Sequence, residues 1–317
     1  MSTKEVQLTE NNLLGIMYML LDALVVSILF ASVKLLTKTI PSNQVVFLYK
    51  FIVLIMILPW VFKDGFKTLI TKKLPYYIIG GIFGTIATLC LMYSLKYIPI
   101  ANVVSLNYLE KILLFLIGIF CFKELFSAAK LIAIIISFMG AIIVLQPELF
   151  SHIPEFSIPD IHYIFIAISI IFWVIYCIIV KLLGRTETVK TQTFYTVLIS
   201  TILSSFVALF SWNLKEVMGI KILLPSGFIA IKNLSLDLSN ILILLLVSLC
   251  YLTRSIASFK AFKHGELSII MPFGYSKIIF SAIIGFYLFN EMPKVNEYIG
   301  YIMIIISGIL LFRKFKT

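Results

Sequence analysis

Ser94-Leu95-Lys96-Tyr97-Ile98-Pro99-Ile100-Ala101 leads into an apolar run that closes on Phe122-Lys123-Glu124. About 165 residues later, Ser258-Phe259-Lys260-Ala261-Phe262-Lys263-His264-Gly265 leads into another, which closes on Phe289-Asn290-Glu291. Each is followed by one further apolar span that holds a glycine, Gly140 in the first and Gly308 in the second. The chain therefore reads as two related halves. Membrane proteins duplicated in this way commonly place a binding site between halves that rock around it.

The composition supports a membrane reading. Hydrophobic residues make up 61% of the chain and charged residues 13%, against roughly 45–50% apolar in soluble domains. The apolar residues fall in runs of about 20, the length that crosses about 30 Å of hydrocarbon as helix. These runs are apolar on every side, whereas strands of a transmembrane barrel alternate. The first span is too long for a signal-peptide core and lacks a clean small-x-small cleavage site, so it is expected to be a retained helix.

Ten spans are expected, near 13–33, 42–62, 75–95, 101–121, 128–146, 162–182, 192–212, 239–259, 267–289 and 297–312. The long connection from Asn213 to Leu238 contains Ile222-Leu223-Leu224-Pro225-Ser226-Gly227-Phe228-Ile229-Ala230-Ile231. That stretch is too short and too broken to span, and it reads as an interfacial loop or a re-entrant segment.

Net charge is +11, but the basic residues sit mainly in connections, which argues against a nucleic-acid surface. With the N-terminus inside, 15 Lys and Arg fall in inner connections and 7 in outer ones. The positive-inside rule then puts both termini in the cytoplasm. Five spans per half is an odd number, so the second half must enter from the opposite side. The expected fold is an all-α integral membrane protein, ten transmembrane helices as two inverted five-helix repeats. Its parts are a tail at 1–12, a first repeat at 13–147, an external linker at 148–161, a second repeat at 162–312 and a basic tail at 313–317.

These residues carry a family resemblance over nearly the full length. The chain resembles the drug/metabolite transporter superfamily, EamA type. In that family each half ends in a helix introduced by a small residue and closed by an acidic one, here Ala101 to Glu124 and Gly265 to Glu291. A Leu-Glu-Pro signature is similar to Leu109-Glu110, although Lys111 replaces the proline. A Pro-Phe-x-Tyr-x-Arg signature is similar to Pro272-Phe273-Gly274-Tyr275-Ser276-Lys277, with Lys for Arg. Trp173-Val174-Ile175-Tyr176 through Lys181 resembles the sixth helix and its basic end, and Tyr49-Lys50 lies where second helices often carry an aromatic and an arginine. The resemblance implies two five-helix bundles around a central cavity. It also implies transport by alternating access, driven by protons or by exchange.

Ionisable groups at membrane depth are functional candidates. At about 1.5 Å per residue, Asp22, Glu110 and Lys277 each lie about 14–15 Å into their spans. Glu110 and Lys277 hold nearly corresponding places in the two halves and are expected to face one another. Val103, Asn107, Glu110 and Leu114 share one helical stripe, and Ile270, Gly274, Lys277 and Ser281 share its counterpart. Lys277 is expected to meet a substrate carboxylate or phosphate, and Glu110 a substrate ammonium or a coupling proton. The alternative is a structural ion pair, or a Glu110–Lys111 pairing that only orients helices. Asp22 is a second proton-carrier candidate or a packing residue. Tyr108, Trp173, Tyr176 and Tyr275 are candidates to stack on a planar or cationic substrate. Lys50 reads rather as structural, and Arg254 as a residue snorkelling from the inner end of its span.

Cys90, Cys121, Cys177 and Cys250 show neither metal-ligand nor disulfide spacing. The three histidines are scattered, with no zinc motif and no phosphate loop. An enzyme is therefore disfavoured, and no cofactor or metal is expected. The expected partners are a small-molecule substrate and the lipid bilayer, with monomer and homodimer both open. The leading expectation is a secondary transporter in the bacterial inner membrane for an amino acid or a related zwitterion or anion. S-adenosylmethionine or another cofactor-type metabolite is the alternative substrate. A channel or a lipid scramblase is the alternative class, but the concentration of polar groups at mid-membrane favours an occluding site.

Overall fold

The computed structural model describes residues 11–37, 40, 42–63, 69–97, 106–145, 161–208, 210–217, 220–228, 237–290, 292–293 and 295–314. The expected linker at 148–161 and the two terminal tails lie almost wholly outside the described residues. So do Ala101 and Glu291, two of the motif ends.

The body is helical. The helices are α1 (Asn12–Leu36), α2 (Ser42–Lys63), α3 (Leu74–Tyr97), α4 (Leu109–Phe120), α5 (Ala128–Leu145), α6 (Ile161–Gly184), α7 (Val189–Ala208) and α8 (Leu238–His264). They are followed by a one-turn α9 (Leu267–Ile270), a 3-10 turn (Pro272–Tyr275), α10 (Ser276–Phe289) and α11 (Val295–Lys314). Seven described helical stretches are long and apolar enough to cross a bilayer, and the α9–α10 composite is one of them. The expected spans at 128–146 and 297–312 are shorter apolar helices. The span expected at 101–121 is described as the 12-residue α4. Large apolar side chains such as Phe120, Leu242 and Ile302 cover the outside, as lipid contact demands. The chain is a multi-pass membrane protein.

Local chemistry sets the boundaries. Asn11 caps α1, its side-chain oxygen accepting from Leu14 N–H at 3.1 Å, which satisfies one otherwise orphaned donor. Pro272 has no N–H to continue the helical ladder and falls where α9 gives way to the 3-10 turn, with Gly274 N–H donating to Met271 O at 3.0 Å. Lys123 (φ 57°) and Asn290 (φ 54°) are the non-glycine residues with positive φ among those described. Each lies just beyond the helix it terminates and one residue before a glutamate.

The connection after α7 differs from expectation. It forms an antiparallel pair, β1 (Phe210–Val217) with β2 (Ile220–Phe228), with Val217 opposite Ile220 and Phe210 opposite Phe228. The ladder shifts register between Ser211 and Trp212. Pro225 and Gly227 suggested a broken loop, but the shift lets the strand carry them.

Packing runs across the chain. α1 packs on α8 and on α10, α2 on α7 and α8, and α3 on α6 and α7. α4 packs on α6 and α9, and α5 on α11. The α5–α11 contact is close: a Cβ added at Gly140 would lie 2.7 Å from Gly300 O. Ser137 and Ser307 hydrogen-bond hydroxyl to hydroxyl in the same seam. Glycine at such a crossing lets the backbones approach within van der Waals range.

Candidate substrate site

Five ionisable side chains from four helices gather in the interior. Arg254 on α8 places Nε 3.4 Å from Asp22 Oδ1 on α1. Glu110 and Lys111, both in the first turn of α4, form an ion pair of 2.7 Å. Lys277 on α10 sits over two rings, 5.2 Å from the Phe30 centroid and 5.3 Å from that of Tyr108. Asp22 lies within electrostatic reach of Arg254, Lys111 and Lys277, and Lys277 within reach of Glu110. The four ion-paired side chains keep 15–24% of their surface accessible, so the cluster is reachable by solvent or ligand.

Aromatic faces line this cluster. Tyr108 and Tyr275 stack with centroids 5.1 Å apart at 26°, and the Tyr275 hydroxyl donates to Tyr108 O at 3.0 Å. Arg254 lies 5.8 Å from the Trp173 ring, which tilts against Tyr176 at 5.2 Å. Tyr251 continues the wall toward Tyr49, at 5.0 Å. A cation over such a ring gains about 0.5–2 kcal/mol. Gly274 leaves room for the Lys111 stem, whose Cε would lie 3.0 Å from an added Cβ.

The sequence-derived candidates are thus brought to one region, with changed pairings. The nearest partner of Glu110 is Lys111 rather than Lys277, which takes the two rings instead. Asn107 is half-buried just before α4. Tyr108 and Tyr275 pack mainly on one another, and Trp173 and Tyr176 stand by Arg254 and not by Lys277. Arg254 is the residue that sequence reasoning misplaced. α8 runs ten residues beyond it to His264, about 15 Å of helix, so the guanidinium cannot snorkel to that end and pairs with Asp22. The unmatched carboxylate at position 22 was the signal for it. By charge, three cations meet two anions here.

One end of the bundle is latched. Leu267 and Ser268 N–H groups at the start of α9 donate to the two carboxylate oxygens of Glu124, each at 2.7 Å. A carboxylate on the first-turn donors of a helix is favourable both as a cap and against the helix dipole. Lys130 pairs with Glu266 at 2.5 Å. Lys181 lies 4.0 Å from Glu124 and donates to Gly265 O. The contacts of Glu124 and Lys130 with residues 266–268 join segments 136–144 residues apart.

Known proteins resemble the chain in sequence and in fold. Residues 13–146 match the model of the EamA-like transporter family. Over 86% of this chain and 83% of the relative, it is 24% identical to the S-adenosylmethionine uptake transporter of Rickettsia felis. It is 20% identical to the Pseudopaline exporter CntI of Pseudomonas aeruginosa, over 95% of this chain and 97% of the relative. With the Riboflavin transporter of Brucella anthropi it shares 22% identity over 88% and 90% of the two chains. A solved crystal structure superposes with a TM-score of 0.73 over 97% of this chain and 100% of that one, at 16% identity, which shows a common fold.

Proposed function

We propose that this chain, an EamA-type membrane protein, is a secondary transporter of a small zwitterionic metabolite. The observation that carries the reading is the Asp22–Arg254, Glu110–Lys111 and Lys277 cluster, of both signs and walled by aromatic rings. Arg254 and Lys277 suit a substrate carboxylate, Asp22 and Glu110 an ammonium or a coupling proton, and the rings a planar or cationic remainder. The relatives' names fit a small-metabolite transporter but differ in what is moved and in which direction.

The mechanism is alternating access between inverted halves, 13–147 and 162–312, of five spans each. The packing supports this reading. Pair α1 with α6, α2 with α7, α3 with α8, α4 with α9–α10 and α5 with α11. The α1–α8 contact then mirrors α6–α3, α1–α10 mirrors α6–α4, and α2–α8 mirrors α7–α3. The contacts α2–α7, α4–α9 and α5–α11 each join a helix to its own counterpart. Both termini lie in the cytoplasm, the membrane is the bacterial inner membrane, and the Glu124 latch closes the cytoplasmic side. A latch that shuts one face favours a carrier over an open channel or a scramblase.

S-adenosylmethionine is the second reading. It has an amino-acid head for the charges and a sulfonium for the aromatic wall, and several relatives at 24% identity carry its uptake in their names. The test is uptake by proteoliposomes of radiolabelled amino acids and S-adenosylmethionine, under set pH gradients and with counter-substrate. Saturable uptake competed by one compound class supports the proposal. Equal leakage of unrelated solutes, or lipid scrambling alone, overturns it.

A further inference from the structure

Lys50 is a charge that the central cluster leaves out. It lies on α2, and only 5% of the residue is exposed. Among the described residues its ammonium has no hydrogen-bond, ion-pair or ring partner. Its neighbour Tyr49 packs on Tyr251 toward the central wall. Successive helical residues diverge by about 100°, so Lys50 is directed elsewhere, toward α3 and α7. An ammonium withdrawn from water without a counter-charge is costly.

Lys50 lines a cavity between α2, α3 and α7, together with Asn43, Thr85, Thr88, Ser204 and Val207. About 50 Å³ of it is open to the centres of water-sized molecules, against roughly 10–15 Å³ for a single water. Thr88 and Ser204 spend their hydroxyl protons on Gly84 O (2.8 Å) and Thr201 O (3.0 Å). Thr85 does not: among the described residues its buried hydroxyl has no hydrogen-bond partner. The cavity thus offers one cation and one unused O–H donor, with apolar walls from Val46, Leu89 and Val207. That combination suits one negative charge on few atoms. It repels cations, and a dianion finds no second cation there. We propose that Lys50 and Thr85 bind a small monovalent anion, a halide or a carboxylate, at a site apart from the central cluster.

The test is thermal unfolding of the purified full chain in detergent, titrated with sodium chloride and separately with sodium acetate. Ionic strength is held constant with a bulky sulfonate buffer salt. Wild type is expected to show a saturating rise in unfolding temperature with at least one of the two. Lys50→Met is expected to lose the response, and Thr85→Val, which keeps the charge, to move the half-saturating concentration up about ten- to a hundredfold, by the worth of one hydrogen bond to a charged group. Acetate alone acting assigns the site to carboxylates; chloride and acetate acting alike assigns it to small anions at large. A flat wild-type titration, or an unshifted response in Thr85→Val, overturns the proposal even if Lys50→Met does not fold. The readout is binding by unloaded protein, so it stands or falls independently of transport at the central cluster.

Discussion

Tyr108 and Tyr275 stack face to face at 5.1 Å, and 167 residues separate them. The same interval separates Glu110 from Lys277, Lys123 from Asn290 and Glu124 from Glu291. Equivalent residues of two repeats meet where the axis relating the repeats passes between them. The tyrosine pair therefore marks the proposed axis, and the charged cluster is built around it with opposite signs at the equivalent positions 110 and 277.

Removing the Tyr275 hydroxyl takes one of two donors from the Tyr108 carbonyl, which keeps Lys111 N–H at 3.1 Å, and leaves the ring stack in place. Tyr275→Phe is expected to cost about 1 kcal/mol. Tyr275→Ala, which also loses the stack and opens a cavity, is expected to cost about 3–5 kcal/mol. Thermal unfolding of both variants in detergent measures the difference, and equal losses would mean that the rings contribute nothing.

Arg254→Met leaves the partly buried Asp22 without its partner guanidinium. A loss of about 1–3 kcal/mol is expected, since breaking one side of a partly buried pair leaves the desolvation of the other uncompensated. The double variant Asp22→Asn with Arg254→Met is expected to recover stability but not transport. A double-mutant cycle on unfolding, run beside substrate uptake, separates the two effects.

Lys277→Ala is expected to lower uptake at least tenfold while expression and unfolding temperature stay near wild type. Normal transport by a normally expressed variant removes Lys277 from the site.

Glu124→Gln keeps the size of the latch but gives up its charge and one of its two acceptor oxygens. A loss of about 0.5–1.5 kcal/mol at the α9 N-terminus is expected, enough to raise an unlatched minor state several-fold. Spin labels on Cys121, which is exposed, and on a cysteine placed at Lys263, with the other three cysteines replaced, should report a longer second distance. An unchanged distance distribution argues that the latch is not what holds this face shut.

Gly140→Ala drives a methyl toward Gly300 O at 2.7 Å. A cost of about 1–3 kcal/mol is expected from the forced separation of α5 and α11, measured by thermal unfolding. Gly308→Ala, whose nearest neighbour is a Phe273 ring atom at 3.3 Å, is expected to cost less.

Much of this was legible in the residues. Span-length apolar runs, the repeated motif and isolated charges at mid-span pointed to Asp22, Glu110 and Lys277, and all three lie in one cluster. Their pairings were not legible, because periodicity places a residue on a helix face and not at the end of a side chain. Arg254 was missed because its span was ended at Phe259. Apolar content drops there, but the helix continues on lysine-bearing turns to His264. The hairpin was missed because Pro225 and Gly227 look like breakers when register is unknown. The Glu124 latch joins two helix ends that no local pattern relates.

The interruption at Pro272 has a mechanical meaning. The short helix before it is moored to Glu124 and Lys130. The longer helix after it is moored to α1, where Ser27 donates to Lys277 O and accepts from Ser281, each at 3.1 Å. A continuous rod would pass every tilt from one mooring to the other. Under the proposed alternating access, a jointed one would let the gate end swing while Lys277 keeps its station, a door turning on its hinge without shaking the lock.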